Sequence, residues 1–420
     1  MSVSYSTFMI MKDKTIKACG YNCYGQLGLG DTNNRTTPTL IPNLSNVKQI
    51  ACGSYYTMFL LKDGTVKACG DNRRGQLGLG DTNDRLTPTL IPDLTNVKQI
   101  ACGGNHTVFL LNDGTVKGCG YSGDGELGNS FNSKIYPSLI SGISNISQIS
   151  CGQSHTLFLL NDGTVKVCGQ NDAGQLGLGD IKNRIYTTLI PNLTNVKQIA
   201  CGTEHTIFLL KDGTVKACGR NNNGQLGLGD TNDRLTPTLI PNLTDVKQIY
   251  CGAYHTIFLL KDGTVKACGD NRRGQLGLGD TTNRTSPTLI QELNKINQIL
   301  ALNSSTIVLS NDGSLYSCGF NTQGTLGLGN TDSRNIFTEI TSDKGNVRAL
   351  AENILGALVL LTLFYNNNEV VYNGNETTII SNHDIELVKS KAYTNYDDLI
   401  ESISDKLLEK YNILKYIIND

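Results

Sequence analysis

A hexapeptide of the type GQLGLG recurs along this chain, beginning at Gly25, Gly75, Gly125, Gly174, Gly224, Gly274 and Gly324, in steps of 50 residues with one step of 49. It sits inside a longer unit, seen most plainly in Lys261–Ile290, KDGTVKACGDNRRGQLGLGDTTNRTSPTLI. A fixed period of this length marks a solenoid, an array or a propeller, and it outranks the several separate domains that 420 residues would otherwise suggest.

Each unit reads as four short strands. In the second unit Asn46–Cys52 alternates apolar and polar, Thr57–Leu61 is a dense apolar run, Thr65–Cys69 alternates again and Thr87–Ile91 closes the unit. Lys62-Asp63-Gly64 makes a tight hairpin between the second and third strands, with Gly supplying the positive φ that such turns need. The same Asp-Gly turn recurs five more times, but the first unit has Asp13-Lys14, for which a looser or different turn is expected. No helical periodicity intervenes, so the sheets are antiparallel. The expected fold is all-β, a seven-bladed β-propeller of four-stranded antiparallel blades over residues 1–375, with a C-terminal amphipathic helical tail over 376–420.

The VKQI-type first strand and the TPTLIP-type fourth strand each occur seven times, whereas the hairpin between them occurs eight times. One hairpin is therefore surplus, either Tyr5–Gly20 or the eroded copy Ile354–Asn375. The C-terminal strands are expected to meet N-terminal ones in a single composite blade, which leaves no open edge. From Thr394, a plausible N-cap, the residues Tyr396, Ile400, Ile403, Leu407, Tyr411, Leu414 and Ile418 follow steps of three and four, an amphipathic helix.

The formal net charge of −1 argues against coating nucleic acid or anionic membrane by bulk charge. The N-terminal residues lack a basic segment followed by an apolar core, and the longest apolar run, Leu355–Phe364, is too short to span a bilayer. A soluble protein of the cytoplasm or nucleus, monomeric, is the expectation. Twelve of the thirteen cysteines fall at two fixed repeat positions and read as core thiols, and no CxxC pair suggests zinc.

Three motifs recurring together in fixed order, a CGxxHT turn, a strand ending in a DG turn and the GQLGLGD loop, resemble the regulator of chromosome condensation repeat family over roughly Tyr5 to Leu350. The resemblance implies a seven-bladed propeller. Two features depart from that family. A Cys stands where its members usually have Trp before the Gly ending the third strand, and the chain has no Trp, which excludes light sensing by Trp clusters. The family's exchange factor acts through a wedge inserted in one blade and contacts chromatin with a basic tail; the near-constant repeat length here leaves no room for such a wedge, and no such tail is encoded.

The GxxGxG spacing, with no helix after it, excludes a phosphate cradle; Leu77 and Leu79 read instead as plugs beside the neighbouring blade. His106, His155, His205 and His255, one per unit, are too dispersed for a metal or a catalytic pair and read as buried anchors of their turns, a position held by Tyr56 and Ser305 elsewhere. Asp31/Arg35, Asp81/Arg85, Asp180/Arg184, Asp230/Arg234 and Asp280/Arg284 read as clasps of the long loop. No nucleophile and base, metal cluster or cofactor motif is expected, and an enzyme is not.

Specific function is then expected where the units differ. The first-to-second and third-to-fourth connections share one face, and there the chain carries Tyr21, Tyr24, Arg73, Arg74, Asp124, Glu126, Phe131, Asp172, Arg220, Arg272, Arg273 and Phe320. Aromatic residues flanked by arginine are what protein-binding hot spots favour. The reading is a non-enzymatic scaffold for an unidentified protein partner. The alternatives are nucleotide exchange on a small GTPase, or a regulatory module in ubiquitin ligation. Asp124, Glu126 and Asp172 form an acidic sector beside an exposed Phe131, over which a basic or amphipathic segment is expected to dock.

Overall fold

A computed structural model describes residues 5–343 except 130, residues 347–350, and four short strands between 363 and 389. The chain divides into two compact units, Met1–Gly356 and Ala357–Asp420.

The first unit is a ring of seven four-stranded antiparallel blades. Six follow chain order, as in blade 2, with strands Val47–Cys52, Tyr56–Leu61, Val66–Gly70 and Arg85–Leu90. Blade 1 is composite: Val347–Leu350 pairs with Ser6–Met11, through Met9 with Leu350 and Ile10 with Ala349, and Ile16–Gly20 and Arg35–Leu40 follow. The expected closure is therefore present, and Tyr5–Gly20 is the hairpin inside the ring.

Burial explains the order of strands within a blade. The second strand is buried almost throughout, because both of its faces meet neighbouring blades. In blades 1 to 6 the fourth strand has only half-buried and exposed positions and forms the outer edge, where Pro38, Pro88, Pro137, Pro237 and Pro287 are tolerated because an edge strand needs no inward N–H there. In the turn after the second strand, Asp63 Oδ1 accepts Thr65 N at 2.9 Å and Thr65 Oγ1 at 2.7 Å. Asp13 and Thr15 make the same pair, and Lys14 simply takes φ 70°. The looser turn expected for the first unit is thus not found: the Asp–Thr bonds hold the geometry, and Lys14 bears the left-handed backbone.

Blade joins blade through one repeated device, shown by blades 4 and 5. The carbonyl of Gln175, second residue of the blade 4 hexapeptide, accepts Thr206 Oγ1 at 2.7 Å and lies 3.6 Å from Cys218 Sγ, both in blade 5. Gly179 N donates to Leu235 O at 2.9 Å. The amide side chain of Gln148 bonds both backbone groups of one residue of the next blade, Nε2 giving to Ile199 O at 2.8 Å and Oε1 taking from Ile199 N at 3.1 Å. Leu176 plugs the apolar core of the junction, as Leu77 does at the junction of blades 2 and 3, with Leu79 packed beside it. At the ring's closure Thr325 O accepts Thr7 Oγ1 at 2.7 Å and Gly329 N donates to Thr36 O at 2.9 Å. The hexapeptide backbone comes so close to the next blade that a Cβ on Gly224, at φ 82°, would lie 2.6 Å from Thr285 Cα.

The buried histidines belong to this device rather than only to their own turns. Nε2 of His155 meets Thr206 Oγ1 at 3.2 Å, and His106, His205 and His255 meet Thr156, Thr256 and Thr306 at 2.9, 3.1 and 3.1 Å. Because each threonine gives its own hydrogen to a carbonyl, the imidazole must donate from Nε2. Each ring fills the space over the Gly of its CGxx turn: a Cβ on Gly103 would lie 2.0 Å from His106 Cε1.

Ile385–Lys389 and Glu376–Ile380 form, with Leu363–Tyr365 and Asn368–Tyr372, the antiparallel sheet of the second unit. Residues 376–380 and 385–389, assigned above to a helical tail, are strands, in keeping with their β-branched ETTII and IELVK sequences. The amphipathic helix expected from Thr394 lies outside the described residues.

Burial holds His106, His155 and His205 down to about 3 and His255 to about 4. The unfolded chain takes up these protons near pH 6.5 and the ring does not, so stability is present above pH 6.5 and is lost as pH falls toward 4, by about 1.4 kcal/mol per histidine per pH unit. The urea midpoint should fall steeply between pH 6.5 and 5, and His205→Tyr, which copies Tyr56, should lower the proton uptake on unfolding by about one. A midpoint unchanged across that range would contradict the assignment.

Candidate protein-interaction face

The CGxx turn and the third-to-fourth loop of each blade emerge at the same end. The backbone ties them, as where Asp71 N donates to Tyr55 O at 2.9 Å and Tyr21 N to Tyr5 O at 3.1 Å. The long loop is self-supporting. Asn72 caps it, taking Leu77 N at 3.0 Å on Oδ1 and giving Nδ2 to Asp81 O at 3.0 Å. The five expected clasps are all formed, each at 2.6 Å, from Arg35–Asp31 to Arg284–Asp280. These partly exposed pairs contribute roughly 0–1 kcal/mol each. They hold the Asp31, Asp81, Asp180, Asp230 and Asp280 carboxyls below the usual carboxylate range, with the arginine bond as the leading cause in each.

On this frame three of the expected aromatic residues, Tyr21, Tyr24 and Phe320, converge. Phe320 of blade 7 lies 6.4 Å from Tyr5 between ring centroids; Tyr5 lies 6.3 Å from Tyr21, Tyr21 6.5 Å from Tyr24, and Tyr24 5.1 Å from Tyr55 of blade 2. Tyr21 also reaches Tyr55 at 6.0 Å. Five half-buried rings thus form a continuous arc over three blades, all within the spacing at which aromatic pairs attract. Arg73 stands over Tyr24 at 4.7 Å and Arg273 over Phe320 at 5.4 Å, while Arg74 stands over Tyr121 of blade 3 at 5.4 Å. The Tyr21 phenol, hydrogen-bonded with Cys23 and partly buried, is pushed up to about 12 and stays neutral.

Tyr5, Tyr55 and Tyr121 were not among the residues expected from sequence. Tyr55 occupies a variable position of the CGxx turn and Tyr5 its counterpart before blade 1, so applying the rule of differing positions to that turn as well would have found both.

Other expected residues behave differently. Glu126, assigned to an acidic surface, is 1% exposed. It takes the place of the hexapeptide Gln, its Oε2 accepts Asp124 N at 2.9 Å and its carbonyl holds Thr156 and Cys168 of blade 4. The acidic sector is therefore reduced to Asp124 and Asp172. Burial, then the charge of Asp172, raises the Asp124 carboxyl, which also takes Asn183 Nδ2 at 3.1 Å. Arg220 is not a free cation: its Nε lies 2.8 Å from Glu204 Oε2. Arg73 and Arg272 are largely exposed but paired to the buried Asp71 and Asp270 at 2.7 and 2.6 Å. Phe131 is 59% exposed, and among the described residues no ring or ion contact joins it to the arc. Among the described residues no His, Cys, Asp and Glu cluster is placed to hold a metal. The cysteines are free thiols, buried except for Cys23 and the half-buried Cys52.

Burial lifts the Glu126 carboxyl to about 7, so it enters the ring protonated while the unfolded chain ionises near 4.5. The raised value means that stability is fully present below pH 4.5 and is lost as pH rises toward 7. Glu126→Gln, which restores the residue of most other units, should stabilise by about 1–3 kcal/mol at pH 7.5, with the gain gone at pH 4.5. Urea unfolding at the two values checks this; equal effects at both would refute it.

A family model described as the RCC1-like domain matches residues 97–355. Models of the regulator of chromosome condensation (RCC1) repeat match residues 18–60 and 63–110, and residues 47–76. Among solved structures, human WBSCR16 is similar at 23% identity over 78% of this chain and 94% of that one, with a TM-score of 0.71. Yeast RCC1 (Prp20) bound to Kap60 is similar at 22% identity over 97% and 93%, with a TM-score of 0.70. Prp20p from Saccharomyces cerevisiae, solved with a study of its binding to Gsp1p and histones, matches at 22% identity over 97% of both chains, with a TM-score of 0.70. At these identities the solved structures speak for the fold, and with the model match over most of the ring, this chain belongs to the RCC1-like domain family.

Proposed function

We propose that this propeller is a non-enzymatic scaffold that binds a protein partner through the aromatic arc. The observation that carries the reading is the run of five adjoining rings bracketed by arginines. Large aromatic surfaces held rigid by their neighbours lose little side-chain entropy on binding, and Tyr and Arg dominate measured hot spots. In blade 5, by contrast, Glu204 and Arg220 neutralise each other.

Exchange on a small GTPase is the second reading. Binding to Gsp1p is named for Prp20p, which shares this fold. Against it, the third-to-fourth connections keep one length and one set of clasps in five blades, and blade 3, which departs from them, gains no insertion.

Affinity purification of the tagged full chain with mass spectrometry tests the scaffold reading against Tyr24→Ala/Tyr55→Ala. The double change should abolish recovery of the principal partner while shifting the melting temperature by only a few degrees. Recovery of the same proteins by both forms would end the proposal. In parallel, release of a fluorescent nucleotide from a nuclear-transport-type GTPase should stay at its intrinsic rate, and a large acceleration would establish the exchange reading instead.

A further inference from the structure

We infer that the partner segment seated on the aromatic arc is acidic and extended, with its carboxylates met by Arg74 at one end and Arg273 at the other. This deepens the scaffold reading and rests on it. The charge balance along the arc is the reason. Arg73 and Arg272 are consumed by Asp71 and Asp270, which also take Gln76 Nε2 at 3.1 Å and Gln275 Nε2 at 2.9 Å. Arg74 and Arg273 are exposed, and among the described residues neither has a carboxylate at ion-pair distance. What holds them is a ring, Tyr121 under Arg74 and Phe320 under Arg273, each at 5.4 Å.

A guanidinium supported on an aromatic ring keeps its in-plane N–H groups for a bidentate carboxylate and has lost part of its freedom beforehand. Two such cations, one on Phe320 at the blade 7 end of the arc and one on Tyr121 of blade 3, past the arc's blade 2 end, suit a segment laid along the arc with apolar side chains against Tyr21, Tyr24 and Tyr55. Asp124 and Asp172 continue the face beyond Tyr121 and would repel the same segment, which sets where it ends. A single-stranded nucleic acid also pairs arginine with aromatic rings, but it needs open ring faces for its bases. Here the rings meet one another edge-on or tilted, and Tyr24, Tyr121 and Phe320 each have an arginine over the ring.

Fluorescence anisotropy on the purified full chain tests this with three labelled probes: a short Glu/Asp-rich peptide carrying two leucines, its Lys/Arg counterpart, and an oligouridine. The acidic peptide should bind, more weakly as salt rises, and about tenfold more weakly to Arg74→Glu/Arg273→Glu. Arg74→Gln/Arg273→Gln should fall between. The exposed Lys211→Glu, on the opposite face, should leave binding unchanged, and all variants should melt with the unsubstituted chain. Equal binding of the acidic and basic peptides, preference for oligouridine, or indifference to the arginine changes would overturn the inference. If tyrosine-dependent capture of a partner persists while these peptide results fail, only the acidic assignment falls; if capture fails as well, the scaffold reading falls with it.

Discussion

In every unit one buried carbonyl, that of the second hexapeptide residue, is handed to the following blade, where a threonine hydroxyl donates to it and a cysteine thiol lies against it. The acceptors are Gln26, Gln76, Glu126, Gln175, Gln225, Gln275 and Thr325, and the threonines are Thr57, Thr107, Thr156, Thr206, Thr256, Thr306 and Thr7. A buried carbonyl without a donor costs about 1–3 kcal/mol, so each junction requires its neighbour to be in place. The last of the seven, Thr325 to Thr7, ties the end of the ring to its beginning. Cysteine suits this position because it is small, apolar and a weak donor, which is how the ring accommodates the lack of tryptophan.

The device leaves only part of each unit free to change. Leucine plugs and hexapeptide glycines face the next blade and the threonines face the preceding one, whereas the second residue after the CG of each CGxx turn and the short stretch before the hexapeptide reach the surface. Differences accumulate there, and they are not random in effect. Blades 7, 1 and 2 supply rings, blade 5 supplies a self-paired Glu204 and Arg220, and blades 3 and 4 supply two carboxylates. A ring of near-identical blades thereby acquires a directional face without altering any junction.

The ring was legible in sequence because its period, turns and strand alternation are local and repeated seven times; even the composite blade followed from an unequal count of strands and hairpins. The loop clasps were legible for the same reason. What failed was reading single departures. Lys14 sits in the ordinary turn because Asp13 and Thr15 fix it, and Glu126 is buried because the hexapeptide slot is buried, whatever residue fills it. Tyr5 and Tyr55 stand at variable positions of the CGxx turn that sequence alone could have marked, but their convergence with Phe320 and Tyr24 of neighbouring blades is not written in the sequence, which records no distance between blades.

The claim that the threonine–carbonyl junction holds the ring together is tested most directly by urea unfolding of Thr206→Val. The change keeps the side chain's shape and strips Gln175 O of its hydroxyl donor and His155 Nε2 of its acceptor. The account predicts one cooperative transition with unchanged denaturant slope and a loss of about 2–4 kcal/mol, the summed cost of two unmet buried groups. A loss under about 0.5 kcal/mol, the range of an ordinary surface substitution, would contradict it.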